Sequence, residues 1–164
     1  MNDFQLKSLI VTAEAYNLAR RSCGLHTINA GTDIAEWVSA SLMSDLNGQS
    51  YEVAVTSTKG YDISTIDGHK VEVKSVASMH RNIGNLKDKR GSDQIIVIWW
   101  AENTLIRVER VMIYTSTEVL EAVKMDGNKK GLFTYKMQKE WIAAGRGQDL
   151  TQQFQAVLDR VMEA

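Results

Sequence analysis

The spacing of apolar residues changes twice along the chain. Over residues 3–21 they recur at helical intervals, with Leu6, Leu9, Ile10 and Ala13 on one face and Asn2 or Asp3 placed to cap the start. A second helical pattern covers residues 33–46 through Ile34, Trp37, Val38, Leu42 and Leu46, and Asn47-Gly48 supplies a stop. The period then shortens to that of strands. Residues 51–58, 61–66 and 70–76 are short β-branched segments separated by glycine-containing turns. A polar, basic stretch (78–92) precedes the continuous apolar run QIIVIWWA (94–101), the pattern of a strand buried on both faces. Residues 105–115 alternate and predict its neighbour. Helical spacing returns at 116–124 and at 149–163, where Phe154, Val157, Leu158 and Val161 form a stripe, while 135–144 has no decisive period.

These elements predict an α/β (α+β) fold: a central mixed sheet with an antiparallel β-meander, flanked by helices. No repeat or composition shift divides the 164 residues, so one domain is expected over 1–164. Hydrophobic content of 44% is enough for a real core and argues against disorder. A single cysteine, Cys23, allows no internal disulfide, and no apolar run is long enough to span a bilayer. The first residues lack the basic start and cleavage site of a signal peptide, so a cytoplasmic protein without membrane contact is expected. A net charge of −1 argues against coating nucleic acid through bulk positive charge. It leaves room for an enzyme that touches a few phosphates through a local patch.

The candidate chemistry lies in YDISTIDGHKVEVKS, residues 61–75. Glu72 and Lys74 are two apart on one strand and share a face, while Val71 and Val73 point the other way. Whether Asp62 joins them depends on the hairpin. A two-residue Asp67-Gly68 turn pairs Ile66 with His69 and turns Asp62 away from Glu72. A three-residue loop, Ile66 to Gly68, pairs Thr65 with His69 and sets Asp62 directly across from Glu72, with Gly68 at the position needing positive φ. Both turns accommodate the same residues. In the second register two carboxylates face one another at roughly 5 Å between β-carbons, which repels unless a cation intervenes.

Asp62, a hairpin, then Glu72-Val73-Lys74 resembles the catalytic signature of the PD-(D/E)XK nuclease superfamily, with its restriction-endonuclease-like core. Many members carry a glutamate on the preceding helix, and Glu36 matches it. The α-β-β-β-linker-β order is also similar, over about residues 31–101. Tyr61 stands where the family motif has proline. The resemblance implies that Asp62, Glu72 and the Val73 carbonyl hold Mg²⁺, with Mn²⁺ as a substitute. Lys74 would orient a water or stabilise charge on phosphorus, and Glu36 would complete the metal shell or bind a second ion. The implied activity is hydrolysis of nucleic-acid phosphodiesters, DNA foremost, by a small endonuclease. A non-catalytic binding or assembly subunit of the same fold is the alternative.

Each residue also has a plainer reading. Asp33 and Glu36 fit a capping box, and Glu72 with Lys74 fit a wet strand face. Ser64, His69 and Ser75 are candidates for the same groove or ordinary strand and turn residues. His80, Arg81, Lys87, Lys89 and Arg90 form either a solvated loop or an arm that tracks phosphates. Trp99 and Trp100 must face opposite sides of the sheet. The terminal helices are candidate surfaces for a homodimer, though packing on their own sheet explains them as well. No spaced Cys or His pairs and no glycine-rich phosphate loop point to zinc or nucleoside triphosphates.

Overall fold

A computed structural model describes residues 1–25, 31–54, 60–77, 81–84, 86, 91–125 and 131–164. Among them the chain runs through α1 (Asp3–Ser22), α2 (Gly31–Asn47), β1 (Tyr51–Val53), β2 (Ile63–Thr65), β3 (Lys70–Val76), β4 (Gln94–Trp100) and β5 (Val108–Thr115). It continues through α3 (Ser116–Met125), α4 (Tyr135–Ala143), β6 (Gln148–Asp149) and α5 (Thr151–Glu163). The six strands form one open mixed sheet in sequence order. Only β3 and β4 run parallel; every other neighbouring pair is antiparallel. No helix among the described residues is long and apolar enough to cross a membrane.

Strand β4 explains the two-sided core. Its Ile96, Ile98 and Trp100 enter a cluster with α1, α2 and α5, while Ile95, Val97 and Trp99 enter a second cluster with α3 and α4. The adjacent tryptophans therefore belong to different cores, and both are buried. Tyr114, Phe133 and Trp141 stack edge to face in the second core. Gln138 is buried beside them with its polar atoms used: its Oε1 accepts from Trp99 Nε1, and its Nε2 donates to the Phe133 carbonyl.

Helix α1 starts with a capping box between Asn2 and Gln5. Helix α2 begins at Gly31, earlier than its apolar spacing predicts, so Asp33 lies inside the first turn and does not cap it. A Cβ at Gly31 would stand 3.0 Å from Trp100 Nε1, so glycine lets the start of α2 close on the sheet. Leu46, expected on the buried face, is exposed at the end of the helix. The strand predicted over 51–58 is described only as β1; residues 55–59 lie outside the described residues. The indecisive segment 135–144 is helical, started by Thr134 accepting from Met137 N. The basic stretch is anchored more than its polarity suggests, because Ile83 and Leu86 are buried and Ile83 bridges to Phe133.

The hairpin takes the three-residue loop. Thr65 N donates to the His69 carbonyl, Gly68 N donates to the Thr65 carbonyl, and Gly68 has φ +88°. A Cβ at Gly68 would meet nothing within 4 Å. Gly68→Ala is therefore expected to destabilise through backbone strain alone, by about 1 kcal/mol in urea titrations. A neutral result would mean that the turn does not hold the register.

Candidate active site

Register places the acidic residues. Ile63 pairs with Val71 and Ser64 with Lys70, and Asp62, the residue before β2, bonds to β3 on either side of Glu72. Asp62 stands at a bend just before β2, where its backbone N donates to the Val71 carbonyl at 3.0 Å. Its Oδ2 accepts from Val73 N at 2.7 Å. Main chain and side chain of Asp62 thus straddle Glu72. Alternate residues of a strand direct their N–H and C=O to the same neighbour, so the Val73 carbonyl also faces the edge that Asp62 occupies.

Glu72 and Lys74 share the sheet face of their β4 partners Ile95 and Val97. Glu72 is fully buried, which excludes the plainer alternative of a wet strand face for it. Lys74 Nζ lies 2.5 Å from Glu72 Oε1, with a side chain 23% exposed. A buried carboxylate is tolerated when a cation and hydrogen bonds replace its water.

Glu36, half-buried on α2, belongs to the same cluster. Desolvation pushes its carboxyl from 4.5 up to about 7, and the charges of Asp62, Asp33 and Glu72 add to the rise, while Lys74 opposes it. Asp33 is a participant that its capping-box position does not announce; its spacing of three from Glu36 on a helix is the signal the sequence holds. The four residues that resemble the nuclease motif are therefore electrostatic neighbours, drawn from α2, the bend before β2, and β3.

Other candidates fall elsewhere. His69 is held at the closed end of the hairpin, its Nδ1 2.7 Å from Tyr51 Oη. Arg81 is exposed on the segment tied to α4, its carbonyl accepting from Gln138 Nε2. His80, Lys87, Lys89 and Arg90 lie outside the described residues. Ser64 and Ser75 are half-buried strand residues. Compared with known proteins, the chain matches no family model, and no curated protein aligns with it significantly.

The Glu36 shift has a direct consequence for stability. A carboxyl whose pKa is raised by folding costs nothing while protonated in both states. Its ionisation then erodes stability as pH rises from 4.5 to about 7, and the cost is constant above that. Glu36→Gln is expected to stabilise by about 1–2 kcal/mol at pH 8, after allowance for solvent screening, with little gain at pH 4. Urea midpoints at the two pH values check this, and an equal gain at both would refute the electrostatic cause.

Does the cluster fit a divalent cation? Among the described residues no three His, Cys, Asp or Glu side chains already converge in metal-holding geometry. The donors on offer are two carboxylates and a main-chain carbonyl, with Glu36 behind them, all hard oxygen ligands of the kind Mg²⁺ takes. Burial accounts for most of the rise in the Glu36 pKa, and the repulsion of Asp62, Asp33 and Glu72, which adds to it, is what a cation would relieve. The donor set fits.

Proposed function

We propose that the chain is a Mg²⁺-dependent hydrolase of nucleic-acid phosphodiester bonds, a small DNA endonuclease of the PD-(D/E)XK kind. The observation that carries this reading is the gathering of Glu36, Asp62, Glu72 and Lys74 around one end of the β2–β3 hairpin. Surface carboxylates placed by chance would be solvated and apart, whereas Glu72 is buried and Glu36 feels its acidic neighbours.

Asp62, Glu72 and the Val73 carbonyl are the groups to hold Mg²⁺, which when bound supplies Lewis-acid polarisation of a phosphoryl oxygen and lowers the pKa of a water. Asp62 is oriented by its bond from Val73 N, so its carboxylate is fixed before substrate arrives. Lys74 carries three N–H donors on a partly exposed side chain and can offer them to a phosphate or water oxygen. Glu36, poised near neutrality, can take or return a proton at working pH. With a net charge of −1, binding to nucleic acid should depend on a local patch and weaken with salt.

A second reading, a non-catalytic binding or assembly subunit, is favoured by one feature: Lys74 already neutralises Glu72 within the sheet. Cleavage separates the two. Purified protein is incubated with duplex, single-stranded and branched DNA and with RNA, in Mg²⁺, Mn²⁺ or EDTA. Metal-dependent cutting that leaves 5′-phosphate ends is expected, and the preferred substrate defines specificity. No turnover on any of these substrates would favour the binding subunit.

A further inference from the structure

The apolar stripes predicted on the terminal helices are used inside the chain. Leu6, Ile10 and Ala13 of α1 and Phe154, Val157, Leu158 and Val161 of α5 are buried in the first cluster. Helix α1 carries a second stripe. Phe4, Val11 and Leu18, spaced by sevens, are 67%, 48% and 63% exposed, and Ser8, Ala15 and Ser22 are exposed between them. Projected at 100° per residue, these six fall within an arc of about 80°, turned away from the buried face. The charges of α1 (Asp3, Lys7, Glu14, Arg20 and Arg21) project within about 140°, with Lys7, Glu14, Asp3 and Arg21 along the flank between the outward stripe and the buried face. The outward half of a 20-residue helix is therefore uncharged, the reverse of an ordinary solvated face.

We propose that this face docks a second copy of the chain, α1 against α1, antiparallel about a two-fold axis at Val11. The stripe is self-complementary in that arrangement. Phe4 meets the partner's Leu18, Val11 meets the partner's Val11, and the small residues between them permit close approach. Charge selects the direction. The antiparallel two-fold axis brings the same flank of each helix together, which sets Lys7 beside the partner's Glu14 and Asp3 beside the partner's Arg21. Parallel pairing about a two-fold axis would bring opposite flanks together and leave these charges without complementary partners across the seam. The acids are already held on that flank: Glu14 accepts from Thr104 Oγ1 and Leu105 N, and Asp3 lies 3.6 Å from Arg160 Nε.

The size of the face bounds the strength. A helix of this length spans about 30 Å. A strip roughly 15 Å wide gives about 900 Å² over both copies, below the ~1,200 Å² of stable interfaces. A micromolar, concentration-dependent dimer is expected, on grounds independent of the nuclease reading.

Sedimentation equilibrium from about 1 to 300 μM tests association directly. Wild type should pass from monomer to dimer, and Val11→Glu, at an exposed position where circular dichroism should be unchanged, should weaken association at least about tenfold. A wild type that stays monomeric, or a dimer indifferent to Val11→Glu, would overturn the proposal. Register is read in a Cys23→Ser background under mild oxidation with diamide. Val11→Cys should cross-link to itself, whereas Phe4→Cys and Leu18→Cys should cross-link only when mixed. Self-cross-linking of Phe4→Cys would overturn the antiparallel arrangement.

Discussion

Lys74→Met is expected to lower folding stability by about 3 kcal/mol, read from urea titration at pH 7. The magnitude follows from where the charges sit. Glu72 is fully buried and Lys74 Nζ lies 2.5 Å from it, so removing the ammonium takes the adjacent counter-charge from a carboxylate in the sheet interior. An exposed pair would contribute under about 1 kcal/mol, and the difference between those figures is the test. Glu72→Gln combined with Lys74→Met should recover most of the loss, because neither charge remains to be compensated. A single variant that loses less than about 1 kcal/mol would show that the ion pair is effectively solvated.

Asp62→Asn is expected to reduce Mg²⁺-dependent cleavage by about a thousandfold, near 4 kcal/mol of transition-state stabilisation. The fold should survive, since an amide oxygen can still accept from Val73 N as the carboxylate does. Loss of activity with unchanged urea midpoint assigns Asp62 to the chemistry. Parallel loss of both would assign it to holding the bend before β2.

Much of the fold was legible because its signals are periodic. The continuous run of β4 announced a strand buried on both faces, and Phe154, Val157, Leu158 and Val161 announced the inner face of α5. The hairpin register was not legible, because Asp67-Gly68 suits both turns; the bond from Thr65 N to the His69 carbonyl decides it. Two buried residues were hidden in the basic stretch, since Ile83 and Leu86 alone make no period. The two-residue β6 was too short to carry one.

The candidate site was legible as residue types but not as environments. Glu72 on an alternating strand suggested a wet face, and only the sheet and its covering layer bury it. Glu36 and Asp33 suggested a cap, whereas α2 starts at Gly31 and leaves Asp33 free of that role and close enough to raise the pKa of Glu36. Charge proximity across α2, β2 and β3 is a property of the packed chain, and spacing along the sequence cannot encode it.

The most direct measurement sets wild type beside Glu72→Gln on duplex DNA, each with Mg²⁺ and with EDTA. The expected result is cutting by wild type in Mg²⁺ and by neither protein otherwise. Equal cutting by both proteins in Mg²⁺ would contradict catalysis at the Asp62–Glu72 cluster.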